Sequence, residues 1–446
     1  MKQLLVIISF LIISHSLAAQ FVVSGGSGTP LLAENDSRNH IEVYLLNGLT
    51  DARISIPSSS PLQWYKYDES ALTATPIASQ TEGDNSFITN LQDGYGYFIG
   101  EPADPSTNFV WIIDYSKYIP RFFGIETQEE EDKCEFLKIL VDVEAEPLSY
   151  RLPSGAPATL TRTWRLLYQT MEWDDDLKQF MQIEKDITLK GIIAEIIIEA
   201  PLMNTAFTLK GDEFAEHFGT EQSIVSTEYG AVAVEVHVTA ATDREYAENE
   251  THASGDILGG SAPVEYTFTV YANEPVATFF NWKMAKKDEN TGEYVQFFRY
   301  EQKNLTYNFL ESGDFKLSLE VSDRTLSCVD STQIFNILIG TSKMEIPNVF
   351  SPGSSPGIND ELRVSYASIT NFKASVFNRW GNLLFRWTDP AKGWDGRVNG
   401  RYVPSGTYYV VVEYRDSTGK NRTASKAVNI LKENDSGSST NTGNNN

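Results

Sequence analysis

Beyond residue 19 the histidines are His40, His217, His237 and His252. None stands in His-Glu-x-x-His or any other ligand-spaced pair, so no zinc-hydrolase site is written here. His237 falls on the outward side of an alternating run, which predicts a solvated imidazole. A Gly-Lys-Ser/Thr phosphate loop is missing. Trp173-Asp174-Asp175-Asp176 gathers three carboxylates, and a hard cation such as calcium wants clustered oxygens. The run lacks the spaced Asp/Asn-Gly pattern of a calcium loop, and a solvated hairpin turn is the favoured reading. The acidic run 129–132 reads as an exposed, self-repelling loop. A glycosidase needs two carboxylates at a set separation in a cleft; among 60 Asp and Glu nothing singles out a pair. The reading is therefore of a protein that is not an enzyme and carries no cofactor and no metal. An unrecognised active site in residues 120–255 is the least supported alternative.

The two cysteines, Cys134 and Cys328, exclude a disulfide framework and a cysteine zinc site. They are either two buried thiols or, in an oxidising compartment, one bridge. Lys2, the apolar stretch 4–13 and Ser16-Leu17-Ala18-Ala19 form a secretory signal peptide over residues 1–19. No later stretch approaches a membrane span, since the densest, 192–198, is broken by Glu195. Direct membrane insertion is not expected, and any attachment must go through a partner. Formal charge is −24, unevenly spread: residues 344–432 hold twelve Lys and Arg against seven Asp and Glu, a local +5, which leaves −29 elsewhere. An acidic body argues against nucleic acid and anionic lipid, and its basic end suggests a separate job.

The elements behind these residues are strands. Val264-Glu265-Tyr266-Thr267-Phe268-Thr269-Val270 alternates apolar and polar, as do 315–322 and 232–238. Strict alternation marks antiparallel strands buried on one face. A chain of 446 residues fits about three or four domains. The predicted fold is all-β, a tandem of antiparallel, immunoglobulin-like β-sandwiches. The boundaries read as 20–118, 119–255, 256–343 and 344–432, with a disordered polar stretch at 433–446. Strands are expected at 136–141, 161–173 and 192–198, and the glycine-rich 255–263 reads as a linker.

With Trp64 in a strand and Tyr97 in Asp93-Gly94-Tyr95-Gly96-Tyr97, residues 20–118 resemble an immunoglobulin-like domain. The resemblance makes Trp64 the core tryptophan and Tyr97 the corner tyrosine; Ile99 stands where the family has a cysteine. Residues 119–255 suggest a further sandwich of no recognised family. Trp282, Tyr307-Asn308-Phe309 and the strand from Gly313 make 256–343 similar to a PKD-type domain, which implies a spacer or binding role.

The last domain holds five ordered motifs: Ile346-Pro347-Asn348-Val349-Phe350-Ser351-Pro352, Ile358-Asn359-Asp360, Phe377-Asn378-Arg379-Trp380-Gly381, Gly393-Trp394-Asp395-Gly396 and Pro404-Ser405-Gly406-Thr407-Tyr408. Tyr408, Val410, Val412 and Tyr414 share one strand face, and Phe372, Ala374 and Val376 another. Trp380, Trp387 and Trp394 are either core or part of an exposed Arg/Trp patch that docks on a receptor. This segment resembles the gliding-motility-associated C-terminal domain of Bacteroidota, the type B sorting domain of the type IX secretion system. It departs at Gly353-Ser354-Ser355-Pro356-Gly357, where relatives read Asn-Gly-Asp-Gly, so a cation that bound that loop in relatives would be lost here.

The resemblance implies passage through the periplasm, recognition by the type IX translocon and retention at the surface on an outer-membrane β-barrel of PorP/SprF type. Asn359, Asp360, Asn378, Arg379, Trp380, Trp394 and Asp395 become the candidate sorting and partner-binding residues. Two roles stay open: an interaction protein within the export or gliding apparatus, or an adhesin or glycan-binding client of the same route.

Overall fold

A computed structural model describes residues 21–191, 193–251, 258–354, 357 and 359–431. The signal peptide expected at residues 1–19 and the disordered stretch expected at 433–446 lie outside the described residues. The fold is nearly all β, and the α-helix among the described residues is the five-residue Glu213–His217. Two compact units are formed, one from residues 1–171 and 182–231, the other from 172–181 and 232–446.

The first unit opens with a sandwich. Four short strands form one sheet, and six form the other, in the order Leu31–Asp36, Ile41–Leu46, Phe109–Asp114, Tyr95–Ile99, Trp64–Tyr67 and Thr75–Ile77. The central strand Phe109–Asp114 is buried at every residue and runs parallel to Ile41–Leu46. Its apolar run is continuous, so both faces need cover. Val110 and Ile112 face Trp64, Tyr97, Ile54 and Ile88. Phe109, Trp111 and Ile113 face Tyr67 and Phe98 together with Leu148, Tyr150, Leu160 and Phe214. The boundary expected at 118/119 therefore does not separate two cores, because residues beyond it seal the sheet's second face. The Tyr97 hydroxyl accepts from the Gln92 amide at 2.7 Å, the backward reach of a corner tyrosine.

Strands expected at 136–141, 161–173 and 192–198 appear as Phe136–Glu144, Thr163–Asp174 and Glu195–Glu199; Ile192 lies outside the described residues. They build a second sandwich, with Leu137, Ile139, Ile196 and Ile198 packed on Trp164, Leu166, Tyr168, Phe207 and Leu209.

In the second unit, Trp282 is the centre of a core with Phe268, Phe309 and Phe315. That core also contains Val236, so the boundary expected at 255/256 falls inside this sandwich. The expected linker is likewise corrected where it is described: Leu258–Ser261 is a strand parallel to Ile334–Gly340, while 252–257 lie outside the described residues. Gly259 and Gly260 have φ of +147° and +137°, and a Cβ on them would strike the Leu338 backbone and the Tyr246 side chain. They serve close backbone approach, not looseness. The run 232–238 is strand only from Val236, and Ala233 is buried where the alternation pointed to Val232 and Val234.

Because two sandwiches share the sheet around Phe109–Asp114, they should unfold together. Phe109→Ala and Leu148→Ala, which lie on opposite sides of the expected boundary, should each cost about 2–5 kcal/mol. Calorimetry of the full chain is expected to show both lowering the same thermal transition.

Candidate functional site

The C-terminal domain is built on a five-stranded sheet in the order Val349–Phe350, Asn421–Ile430, Gly406–Asp416, Ile369–Phe377 and Leu383–Trp387. Its inner face presents Tyr408, Val410 and Val412 beside Phe372, Ala374 and Val376, as the alternation requires. Trp394 closes this face. It is 0% exposed, its indole Nε1–H donates to the Arg397 carbonyl at 2.9 Å, and its ring meets Phe350 and Tyr408 at centroid distances of 5.8 and 6.1 Å. Trp387 is buried in the same core. Trp394 is thus corrected from docking residue to core residue.

Three more of the sequence-predicted residues hold turns. The Asp360 carboxylate accepts from the amides of Gly353 and Gly357 at 3.0 and 2.6 Å. The Asn359 carbonyl accepts from the Ser351 amide at 2.9 Å, and Asn359 itself sits at φ 54°. Residues 355, 356 and 358 of this turn lie outside the described residues. Asp395 accepts from the Arg397 amide at 3.0 Å, while the Arg397 guanidinium stacks on Tyr402 at 4.2 Å.

Asn378 also holds a turn, and that turn makes the site. Its Oδ1 accepts from the amides of Trp380 and Asn382, both at 3.0 Å. Gly381 completes the hairpin with φ 82°. The result is a tip between Ile369–Phe377 and Leu383–Trp387 that points Arg379 and Trp380 into solvent. Trp380 is 70% exposed, with the Arg379 guanidinium 4.2 Å from its ring centroid. Among the described residues no carboxylate pairs with Arg379, so its charge stays available.

Beside the tip runs an apolar row that sequence reading missed. Phe377 is in register with Leu383 on one side and Tyr409 on the other. Leu383 and Tyr409 are exposed and Phe377 is half-buried. The signal was in the alternation: with Tyr408 and Val410 inward, Tyr409 must face out, and an aromatic on an outward face is the informative exception. An aromatic–arginine tip joined to an apolar row has the composition of a protein-binding hot spot. Further along the sheet, the Asp416 carboxylate is held well below the usual range, chiefly by the Arg422 guanidinium at 2.7 Å and then by Thr418.

The domain is fixed to the sandwich before it. Residues 249–251 run beside Ser365–Ala367: the Thr251 amide donates to the Tyr366 carbonyl at 2.8 Å and the Tyr366 amide to the Asn249 carbonyl at 3.1 Å. The Asn249 side chain donates to the carbonyls of Val364 and Pro390 at 2.7 and 2.8 Å. Buried Glu250 pairs with Arg244 at 2.6 Å and accepts from the Tyr366 hydroxyl at 3.4 Å. Burial, followed by the Glu250 charge, pushes the Tyr366 phenol up to about 12.

The other candidates fall outside this site. Asp174 accepts from the amides of Asp176 and Leu177, each at 2.9 Å, and Asp175 binds the Trp173 indole and Lys178, each at 3.0 Å. These carboxylates serve a hairpin turn. His237 is not simply solvated: its ring stacks on Trp173 at 4.3 Å, and its Nε2 lies 2.7 Å from Glu235. Neither Cys134 nor Cys328 is a free thiol.

Residues 344–430 match the CHU_C type IX secretion signal domain, and residues 126–226 match a fibronectin type III domain. The segment whose family the sequence left open is thus also of the immunoglobulin-like sandwich class. The chain carries a type IX secretion signal and is a client of that route, directed toward the cell surface. No curated protein matches it. Similar solved structures include a tetra-tandem repeat from the extending region of a large adhesion protein, at 10% identity over 88% of this chain and 99% of that one, with TM-score 0.21. Another is the three N-terminal domains of the bacteriophage RB49 highly immunogenic outer capsid protein, at 10% identity over 71% and 99%, with TM-score 0.20. At such scores neither bears on function.

The two tryptophans of the adjoining motifs should behave oppositely. Trp394→Ala is expected to destabilise the domain by about 3–5 kcal/mol, and Trp380→Ala to stay within about 0.5 kcal/mol of the parent. Chemical denaturation followed by fluorescence and circular dichroism checks both.

Proposed function

We propose that the chain is a surface interaction protein that the type IX apparatus recognises, at least in part, through the Arg379–Trp380 tip and its flanking row, and that an outer-membrane β-barrel of PorP/SprF type then holds it. The match of residues 344–430 to a type IX secretion signal domain carries the reading. The exposed tip supplies a physical handle. No described helix is long and apolar enough to cross a membrane, so a barrel partner offers one route to retention. The sandwiches ahead of the signal, including the PKD-like one around Trp282, serve as spacers and binding modules rather than as a catalyst. On this reading the chain belongs to the export or gliding assembly at the surface.

A second reading, a glycan-binding client, has one observation in its favour. A groove of about 460 Å³ in the second unit combines exposed Phe279 and Leu326 with Asn281, Arg299 and Glu320, the mix of ring face and hydrogen-bonding groups that sugars use.

The test is a double substitution, Arg379→Glu with Trp380→Ala, in the full chain. The variant should fold normally, accumulate in the periplasm, and lose about tenfold or more of its surface display and its co-purifying barrel, as loss of a central hot spot implies. Normal display of the variant would remove the tip from the account. Recovery of the parent from outer membranes without any barrel would favour the glycan-binding reading.

A further inference from the structure

The secretion signal domain does not close on its own residues. Packed in the same core as its five-stranded sheet is a layer of two antiparallel strands, Lys343–Glu345 and Ser365–Ala367. A pair of strands alone is marginal in water, and a third makes such a layer stable. Residues 249–251 take that third place on the other edge of Ser365–Ala367. They do so through the two backbone hydrogen bonds to Tyr366 and a bridge between Glu250 and Tyr366.

Upstream chain also satisfies polar groups inside the terminal domain. Asn249 Nδ2 donates to the carbonyls of buried Val364 and of Pro390. Ser368 is 1% exposed. Its Oγ accepts from the Ala262 amide at 3.0 Å and donates to the Gly340 carbonyl at 2.6 Å, while its amide donates to the Ser261 hydroxyl. Buried Ser417 meets the Ser312 hydroxyl at 3.0 Å. Taking these partners away would leave buried donors and acceptors unmatched, which costs more than the bonds themselves gain.

The partners come together as a set only in the folded form of the preceding sandwich. Residues 249–251 lie in the chain between two of its strands: Val236–Ala241, paired with Val264–Ala272, and Leu258–Ser261, paired with Ile334–Gly340. Held on both sides, the segment arrives in position. On an unfolded chain the same residues would have to be ordered at the full cost of their conformational entropy. We propose that the secretion signal is completed by the sandwich before it, so that the terminal domain becomes readable only once that sandwich has folded. This rests on the reading of the terminal domain as the export handle, and adds to it a dependence on the neighbouring fold. A chain whose last cargo sandwich is unfolded is thereby withheld from export.

Hydrogen exchange on the mature full chain reads the coupling. Asn249→Ala with Thr251→Pro removes the side-chain donors and the Thr251 amide, and leaves residues 344–431 and the sandwich core untouched. Met284→Asp instead breaks that core, where Met284 is buried. In both variants the amides of Gly406–Asp416 and Asn421–Ile430 should exchange about tenfold or more faster than in the parent. In the Asn249/Thr251 variant, Val264–Ala272 should keep the parent rate. Val110→Asp, a matching lesion in the first unit, should leave the terminal strands unchanged. On cells, the Asn249/Thr251 variant should lose about fivefold or more of its surface display with the tip intact. Arg379→Glu with Trp380→Ala should lose display at parent exchange rates, so failure of the handle and failure of the coupling are told apart. If the Asn249/Thr251 pair unfolds the sandwich as well, Asn249→Ala alone decides on the same readouts. Parent-level exchange of the terminal strands in either lesion, faster exchange there in Val110→Asp, or parent-level display of the Asn249/Thr251 variant would each overturn the proposal.

Discussion

The packing of Trp394 against Phe350, Phe385 and Tyr408 is the contact on which the C-terminal domain turns. A five-stranded sheet with one apolar face has to cover that face, and here one indole does much of the covering. With Trp394 and Trp387 inside, the sheet is rigid enough for the hairpin beyond it to hold a fixed shape. Asn378 then spends its side chain on the turn, and Trp380 is left outside. The same residue type thus plays opposite parts fourteen positions apart, decided by which side of a pleat or turn each occupies.

Burial on two faces organises the first unit in the same spirit. The strand Phe109–Asp114 cannot expose either side, so the second sandwich docks onto the first and the two share a core. That docking brings Asp212, Tyr115 and Arg162 together in the interior. At the other end, Asn249 and Glu250 tie the secretion signal domain to the sandwich before it through hydrogen bonds to Tyr366, Val364 and Pro390. The signal is therefore presented from a fixed base rather than on a free tether.

Much of this was legible in the residues. Period-two alternation found the strands at 264–270 and 315–322 and the inner face of 408–412, because one-sided burial writes itself directly into the pattern. Ordered turn motifs revealed the last domain, since tight turns restrict residue choice. Domain limits were harder. The glycines at 259 and 260 looked like a linker because sequence does not distinguish glycine for freedom from glycine for close approach. Phe109–Asp114 gave no hint of what would cover its second face. Trp394 and Trp380 looked alike because both sit in glycine-flanked motifs beside a charged residue, and only the fold separates core from tip. Arg162 carried no signal at all: its partners lie 16 to 50 positions away.

The most direct measurement concerns the destination of the molecule. Cells producing either the full chain or one ending at residue 343, with folding of the shorter chain checked by circular dichroism, can be treated with an external protease that does not enter the periplasm. If the terminal domain governs export, the full chain is cut while the shorter one survives intact until the outer membrane is opened. Equal cleavage of both chains on intact cells would contradict the account, because the acidic sandwiches would then be reaching the surface without the signal.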